Sequence, residues 1–294
     1  MIKFKKIRTK NNYKNKRILN KRKTRKNKKI YKLMGGMYEL IGQGTHGKIY
    51  RKNNFIVIKE FENRPLQQNC LCLNIKNNCK SLCDHIHYEF LIQELIYNRI
   101  NQESYQLKIK IPKANNFTLS SNNTMCHYEM DYVHSCSNND SSNNLIQINM
   151  DSANMDEVHY GVGHFLGYNK LDLTNCNIST IQELVYQIGL LFSYLHYVLH
   201  IDGYDCELVL GRLFDENKCD IFLIDFDKVS CFEFKLGYVA RRKIDESIIE
   251  EKVFTNEKKI AWFLFSAITK MGLLPRDADS QRIFMNGYAR YLDT

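Results

Sequence analysis

The sequence predicts an α+β fold, on three observations. Short β-like runs gather around a glycine string in residues 37–59, and apolar stripes of helical period recur at 88–100 and 184–195. Two apolar runs, Leu208-Val209-Leu210 and Ile221-Phe222-Leu223-Ile224, flank a set of polar turn residues as the arms of a hairpin would. At 294 residues the chain is long enough for one two-lobed domain or two small ones.

The elements begin after a basic tail. Residues 1–34 hold 16 Lys and Arg and no acid, so the formal charge of +10 hides a remainder of −6. This tail cannot bury a core and is expected to be disordered or marginally helical. Its cluster Lys21-Arg22-Lys23-Thr24-Arg25-Lys26-Asn27-Lys28-Lys29 suits phosphates or a nuclear import receptor. A solubilising arm is the alternative, and any nucleic-acid contact would be electrostatic and blind to sequence.

Next, Tyr38-Glu39-Leu40-Ile41 leads into Gly42-Gln43-Gly44-Thr45-His46-Gly47, and Phe55-Ile56-Val57-Ile58 ends directly in Lys59. Glycines let backbone approach phosphates closely, and a Lys after an apolar run can reach the same phosphates. A dinucleotide-binding turn would need a helix after the glycines, where this sequence offers a strand. Gly161-Val162-Gly163 with Gly167 has no strand before it and reads as a loop.

Residues 68–87 form an insert with Cys70, Cys72, Cys79, Cys83, His85 and His87. Four of these six can supply a tetrahedral zinc site, although the spacing follows no standard finger; plain surface thiols are the other reading. From Tyr88, the stripe Leu91, Ile92, Leu95, Ile96 and Ile100 predicts a helix. Glu89 shares the Ile92/Ile96 face, and Glu94 is the alternative acid for pairing with Lys59. Strands are expected at 109–112 and 126–133, separated by a polar loop, and a polar insert at 134–160. Ser179 with Gln182 signals a helix start, after which Leu184, Ile188, Leu191 and Leu195 run towards His200; His196 reads as packing. Two more helices are expected, around Trp262-Phe263-Leu264-Phe265 and near 284–292.

The chain is organised around 200–228, where Asp202 and Asp225 each sit in apolar, strand-like surroundings and Glu207 lies between them. Two carboxylates held at strand ends can do base and metal work on one phosphoryl group. The bland reading is a hairpin with surface acids. This stretch resembles the protein-kinase-like superfamily, whose catalytic loop places an Asp five residues before an Asn and an apolar strand. Asp202 matches the catalytic Asp, and Asp225-Phe226-Asp227 matches the metal-binding Asp-Phe-Gly element in a form closer to aminoglycoside-phosphotransferase-type kinases. Glu207 stands where that family has Asn. The run also looks like a domain of fungal proteins with no established chemistry.

The resemblance implies a two-lobed kinase-like fold with an amino-terminal lobe at 35–133 and a short carboxy-terminal lobe at 134–294. It implies an ATP- and magnesium-dependent phosphotransferase, with a protein or small-molecule acceptor, or else a pseudokinase that binds nucleotide or docks protein. Lys59 would hold phosphates, Glu89 would position Lys59, and Asp202 would be the base. Gly42, Gly44 and Gly47 would cover the nucleotide, Asp131 and Val133 would meet adenine, and Asp225 with Glu207 would hold Mg2+. No run reaches the roughly 18 apolar residues of a membrane span, and the basic start lacks the apolar core of a secretory signal. Ten cysteines in such a chain read as reduced thiols or metal ligands, which places it in a reducing compartment, cytoplasm or nucleus. The Asn- and Lys-rich style resembles proteins of large DNA viruses, which would put it in a host cell or virion.

Overall fold

The computed structural model describes residues 30–33, 36–43, 47–72, 75–102, 106–136, 171–203, 206–227, 229, 257–270 and 274–291. The basic cluster, most of the polar insert and the 161–167 loop lie outside the described residues.

Four antiparallel strands come first: β1 (Ile30–Leu33), β2 (Gly36–Gln43), β3 (Gly47–Arg51) and β4 (Ile56–Glu62). A separate hairpin of β5 (Pro65–Cys72) and β6 (Ile75–Ser81) leads into α1 (Leu82–Gln102). Strands β7 (Ala114–Leu119) and β8 (Met125–Asp131) then complete the first sheet in the order β1-β2-β3-β4-β8-β7. A second sheet, β11-β10-β9, is built from β9 (His134–Ser135), β10 (Glu207–Arg212) and β11 (Asp220–Ile224). The remaining helices are α2 (Ile181–Ser193), α3 (Glu257–Lys270) and α4 (Ala278–Tyr288). Helices beside antiparallel sheets make the fold α+β, as the sequence predicts.

Helix α1 belongs to both hydrophobic cores. Leu82, Ile86 and Phe90 pack with Val57, Phe61, Tyr128 and Met130 of the first sheet. Further along, Ile92 and Ile96 join Leu184, Ile188, Leu191 and Leu195 in the larger core. Each such buried side chain contributes about 1.5–3 kcal/mol over its exposed state, so α1 ties the two halves through apolar burial. Helices α2 and α4 cross at backbone contact: a Cβ on Gly189 would lie 2.3 Å from the Phe284 carbonyl oxygen, and one on Gly287 2.3 Å from that of Tyr186. A single Ala at either position would force the helices apart.

Several sequence expectations are corrected. The tail is not structureless to its end, because Ile30–Leu33 pairs with β2 across a two-residue connection; backbone pairing stabilises what composition marks as polar arm. Helix α1 starts six residues before Tyr88. Its first turn is closed by Asp84 Oδ2, which accepts from the Lys80 and Ser81 N–H groups, and by Ser81 Oγ, which accepts from the Asp84 N–H. The next helix begins on Thr180, whose hydroxyl accepts from the Glu183 N–H at 3.1 Å, not on Ser179 with Gln182. Residues 109–112 make only an isolated bridge, Lys110 to Phe222, whereas the Asn-rich stretch that reads as loop forms β7, an edge strand with a bulge at Asn115/Thr118 and Asn116 at φ 53°.

The cysteines are corrected too. Cys83 is bonded to Cys126 and Cys136 to Cys219, and Cys79 is disulfide-bonded, while Cys176 and Cys206 are buried thiols outside any disulfide. The partners stand 43 and 83 residues apart, so the packing of α1 on β8 brings the first pair together, and the pairing of β9 and β11 with β10 in the second sheet brings the second pair together. The expectation of reduced thiols, and of a reducing compartment resting on it, loses its support. No helix among the described residues is long and apolar enough to cross a membrane.

Candidate functional site

Three stretches of chain meet at Lys59. Strand β4 carries it between buried Ile58 and half-buried Glu60, with the side chain directed towards α1 and the end of β11. Its Nζ donates to Glu89 Oε1 at 2.9 Å and to Asp225 Oδ1 at 3.3 Å. Of the two acids on α1 that could pair with Lys59, Glu89 is the one bonded, and it is 1% exposed. A carboxylate so deeply buried is tolerated only with full pairing, and a second donor completes it. Tyr128, in register with Lys59 across β4 and β8, donates its hydroxyl to the same Glu89 oxygen at 2.8 Å. The Lys59 ammonium also lies 5.7 Å from the Tyr128 ring centroid, within cation–π range.

Electrostatics follow from this packing. Burial pulls the Lys59 ammonium towards neutrality, but Glu89, Tyr128 and Asp225 together outweigh it and hold Lys59 protonated well above the ordinary lysine range. Burial, reinforced by the Glu89 charge, pushes the Tyr128 phenol well up, so it stays a donor.

Asp225 differs from Glu89 in exposure and in backbone. Its side chain is 40% exposed, and its φ of 64° lies in the left-handed region. Such a backbone costs about 1–3 kcal/mol in a non-glycine residue and collects at functional sites. Glu207 opens β10 directly opposite Ile224, so it sits at the same end of the hairpin as Asp225. Asp202 is buried, between His200 at φ 54° and Gly203 at φ 64°. The chain reaches it through a π-helical turn at Tyr194–Val198, where the Leu199 N–H bonds the Tyr194 carbonyl at 3.0 Å. His196 in that turn meets the Tyr288 hydroxyl through Nδ1 at 2.8 Å, and burial lowers its pKa to about 3. It packs as a neutral ring.

The other expected residues fall in different places. Gly42 lies one residue before the end of β2, opposite Ile49 and in ordinary contact with it, and Gly44 lies outside the described residues. Gly47 has a packing reason of its own, since a Cβ there would meet the Phe61 ring at 2.6 Å. Asp131 and Val133 stand where the first sheet passes into the second, and Gly211 of β10 leaves no room for a Cβ against Val133. Asp131 Oδ2 accepts from the Lys113 N–H at 2.9 Å.

The zinc set is not assembled as expected. Cys79 and Cys83 are spent in disulfides, Cys83, His85 and His87 lie on α1, and His87 stacks on Phe117 at 4.3 Å. The side chains of Cys70 and Cys72 lie outside the described residues. Among the described residues no three His, Cys, Asp or Glu side chains converge as a metal site.

Tyr128 is the residue that sequence reasoning missed. The alternation Cys126, Tyr128, Met130 marks it as inward-facing, but its placement across from Lys59 depends on strand register. No protein-family model matches the chain, and no curated protein matches it. Among solved structures, the chain is similar to the co-crystal structure of WbdD and kinase inhibitor LY294002, at 8% identity and a TM-score of 0.31. The alignment covers 88% of this chain and 46% of that one, so the chain spans about half the length of WbdD. A likeness at this level establishes neither fold nor activity.

Proposed function

We propose that the chain is an ATP- and magnesium-dependent phosphotransferase of protein-kinase-like type, with residues 35–133 and 134–294 as its two lobes. The observation that carries this reading is the position of Lys59, bonded to buried Glu89 on one side and to half-exposed Asp225 on the other. Such a lysine is oriented, permanently charged and one exchange of partner away from a phosphate oxygen. Backbone at Asp131 and Val133 would meet the adenine, and Gly42, Gly44 and Gly47 would lie over the phosphates. Asp202, buried after the π turn, would accept the proton of the acceptor hydroxyl.

The donors present fit magnesium. Asp225 and Glu207 are two carboxylates at one hairpin end, and Mg2+ is commonly held by one or two carboxylates together with substrate phosphates rather than by a protein cage. When bound, the ion would neutralise charge on the phosphate oxygens. A nucleotide-binding or docking pseudokinase is the second reading, favoured by Glu207 in the position where the family carries Asn.

A thermal-shift titration with ATP, with and without magnesium, tests both readings. The expected result is a magnesium-dependent rise in melting temperature that Asp225→Asn weakens and Asp202→Asn retains. Phosphoryl transfer is expected to fall sharply in Asp202→Asn. An equal background rate in wild type and Asp202→Asn would leave the pseudokinase reading, and no shift at millimolar nucleotide would remove nucleotide binding altogether.

A further inference from the structure

A cavity of about 540 Å3, lined by none of Lys59, Glu89 and Asp225 but reaching the side chain of Asp131, lies between the carboxy-terminal end of α1, residues 107–111 and the β10–β11 hairpin. Its size is that of a small-molecule site. Tyr97, Ile100, Leu107 and Phe222 give it apolar walls.

Its charged groups decide what could enter. Two lysines line it, and neither offers a free charge. Lys108 is paired with Glu183, and Lys110 lies 2.6 Å from both Glu216 and Asp220. Asp220 is 1% exposed and accepts from the Asn177 side chain at 2.6 Å as well, so that group is closed. Asp131 is different. It lines the same cavity half-buried, holds the Lys113 N–H, and makes no ion pair with a side-chain cation among the described residues. Burial raises its proton affinity; the nearby Asp215 adds to this and Lys113 opposes it. Counted over the lining residues, three carboxylates face two ammonium groups, and the unspent charge is negative.

We propose that this cavity is a second ligand site, one that takes a small organic cation: an ammonium or guanidinium group on an apolar stem. The charged head pairs with Asp131, supplying the partner that the fold withholds, and the stem lies along Tyr97, Ile100 and Leu107. A neutral ligand of the same shape gains the apolar contact and leaves Asp131 desolvated without a cationic partner, which is how a buried polar group discriminates.

Calorimetric titration of the full chain with butylguanidinium and with butylurea, its neutral isostere, tests this directly. Butylguanidinium is expected to bind saturably, at least about tenfold more tightly than butylurea, and Asp131→Asn is expected to abolish that preference. Leu107→Trp, which narrows the cavity without touching a charge, should weaken both ligands. The wild-type comparison of the two probes decides the matter even if a variant fails to fold. Equal affinities, no saturable binding, a preference kept in Asp131→Asn, or displacement of butylguanidinium by ATP and magnesium would each overturn the proposal.

Discussion

Two lysines span the junction of the sheets, and their surroundings make them different devices. Lys59 reaches from β4 to Glu89 and Asp225, while Lys110 reaches from the segment before β7 to Glu216 and Asp220. Each therefore holds one almost fully buried acid and one more exposed acid. The difference lies in what else the acids do. Around Lys110 the buried member, Asp220, is fixed to Asn177 on ordinary strand backbone, and the lysine itself stands 37% exposed. Around Lys59 the lysine is 14% exposed, Tyr128 shares the buried acid, and the exposed acid, Asp225, sits on left-handed backbone with an oxygen to spare. Lys110 is a clamp held between two acids, one of them fixed by Asn177. Lys59 is held tightly on one side and loosely on the other, as a group that must exchange partners needs to be.

Replacing each lysine breaks this comparison most directly. Lys59→Met leaves Glu89 charged and buried, with an expected loss of about 3–5 kcal/mol in urea unfolding. The magnesium–ATP thermal shift should vanish with it. Lys110→Met leaves buried Asp220 bonded to Asn177 and removes a lysine that is itself 37% exposed and screened by solvent, so about 1–3 kcal/mol is expected with the shift retained. Equal losses and equal shifts would mean that both lysines are structural.

The pH axis then separates both pairs from the packing beside Asp202. His196 is held neutral in the fold, its pKa lowered from 6.5 to about 3 by burial. The unfolded chain takes up that proton below 6.5 and the fold refuses it, so stability from this group is complete above 6.5 and falls as pH drops towards 3. Between pH 7 and 4.5 the expected loss is about 2–3 kcal/mol. His196→Gln should start less stable, without its bond to Tyr288, and show a flatter profile over that interval. An unchanged slope would place the acid sensitivity elsewhere.

The smallest expected effect is the most informative about Lys59. Tyr128→Phe removes the hydroxyl donated to Glu89 and should cost about 1–2 kcal/mol, because hydrogen bonds to charged groups exceed neutral ones. With Glu89 less constrained, the nucleotide shift should shrink without disappearing. A full-size shift in Tyr128→Phe would make Tyr128 a packing residue and bring the two lysines closer in kind.

Much of the Lys59 site was readable from local pattern. An apolar β run leading into Lys59 puts that side chain on a strand, although β4 continues to Glu62 and Lys59 sits at its middle, and the Ile92/Ile96 stripe puts Glu89 on the inward face of a helix. The hairpin bearing Glu207 and Asp225 was legible for the same reason, since two apolar runs around turn residues have few alternatives. Tyr128 was not, because register between β4 and β8 is set by the whole sheet. The start of α1 was hidden beneath a Cys/His pattern that invited a metal reading, although Ser81 and Asp84 carried an ordinary capping signal.

By itself the sequence determined the α+β class, most of the helices, the strands around Lys59, the charge of the tail and the β10–β11 hairpin with Glu207 and Asp225 at its end, since these follow from periodicity, charge and turn chemistry within a few residues. Tertiary structure alone decided which cysteines pair, that Ile30–Leu33 joins the sheet, that Lys110 is closed while Asp131 is left open, and that Asp225 takes left-handed backbone. Apart from the local pairing of Ile30–Leu33 with β2, those outcomes depend on contacts between segments tens of residues apart. Such contacts form only when apolar burial along α1 has brought the sheets together, and no local pattern encodes which polar groups then meet.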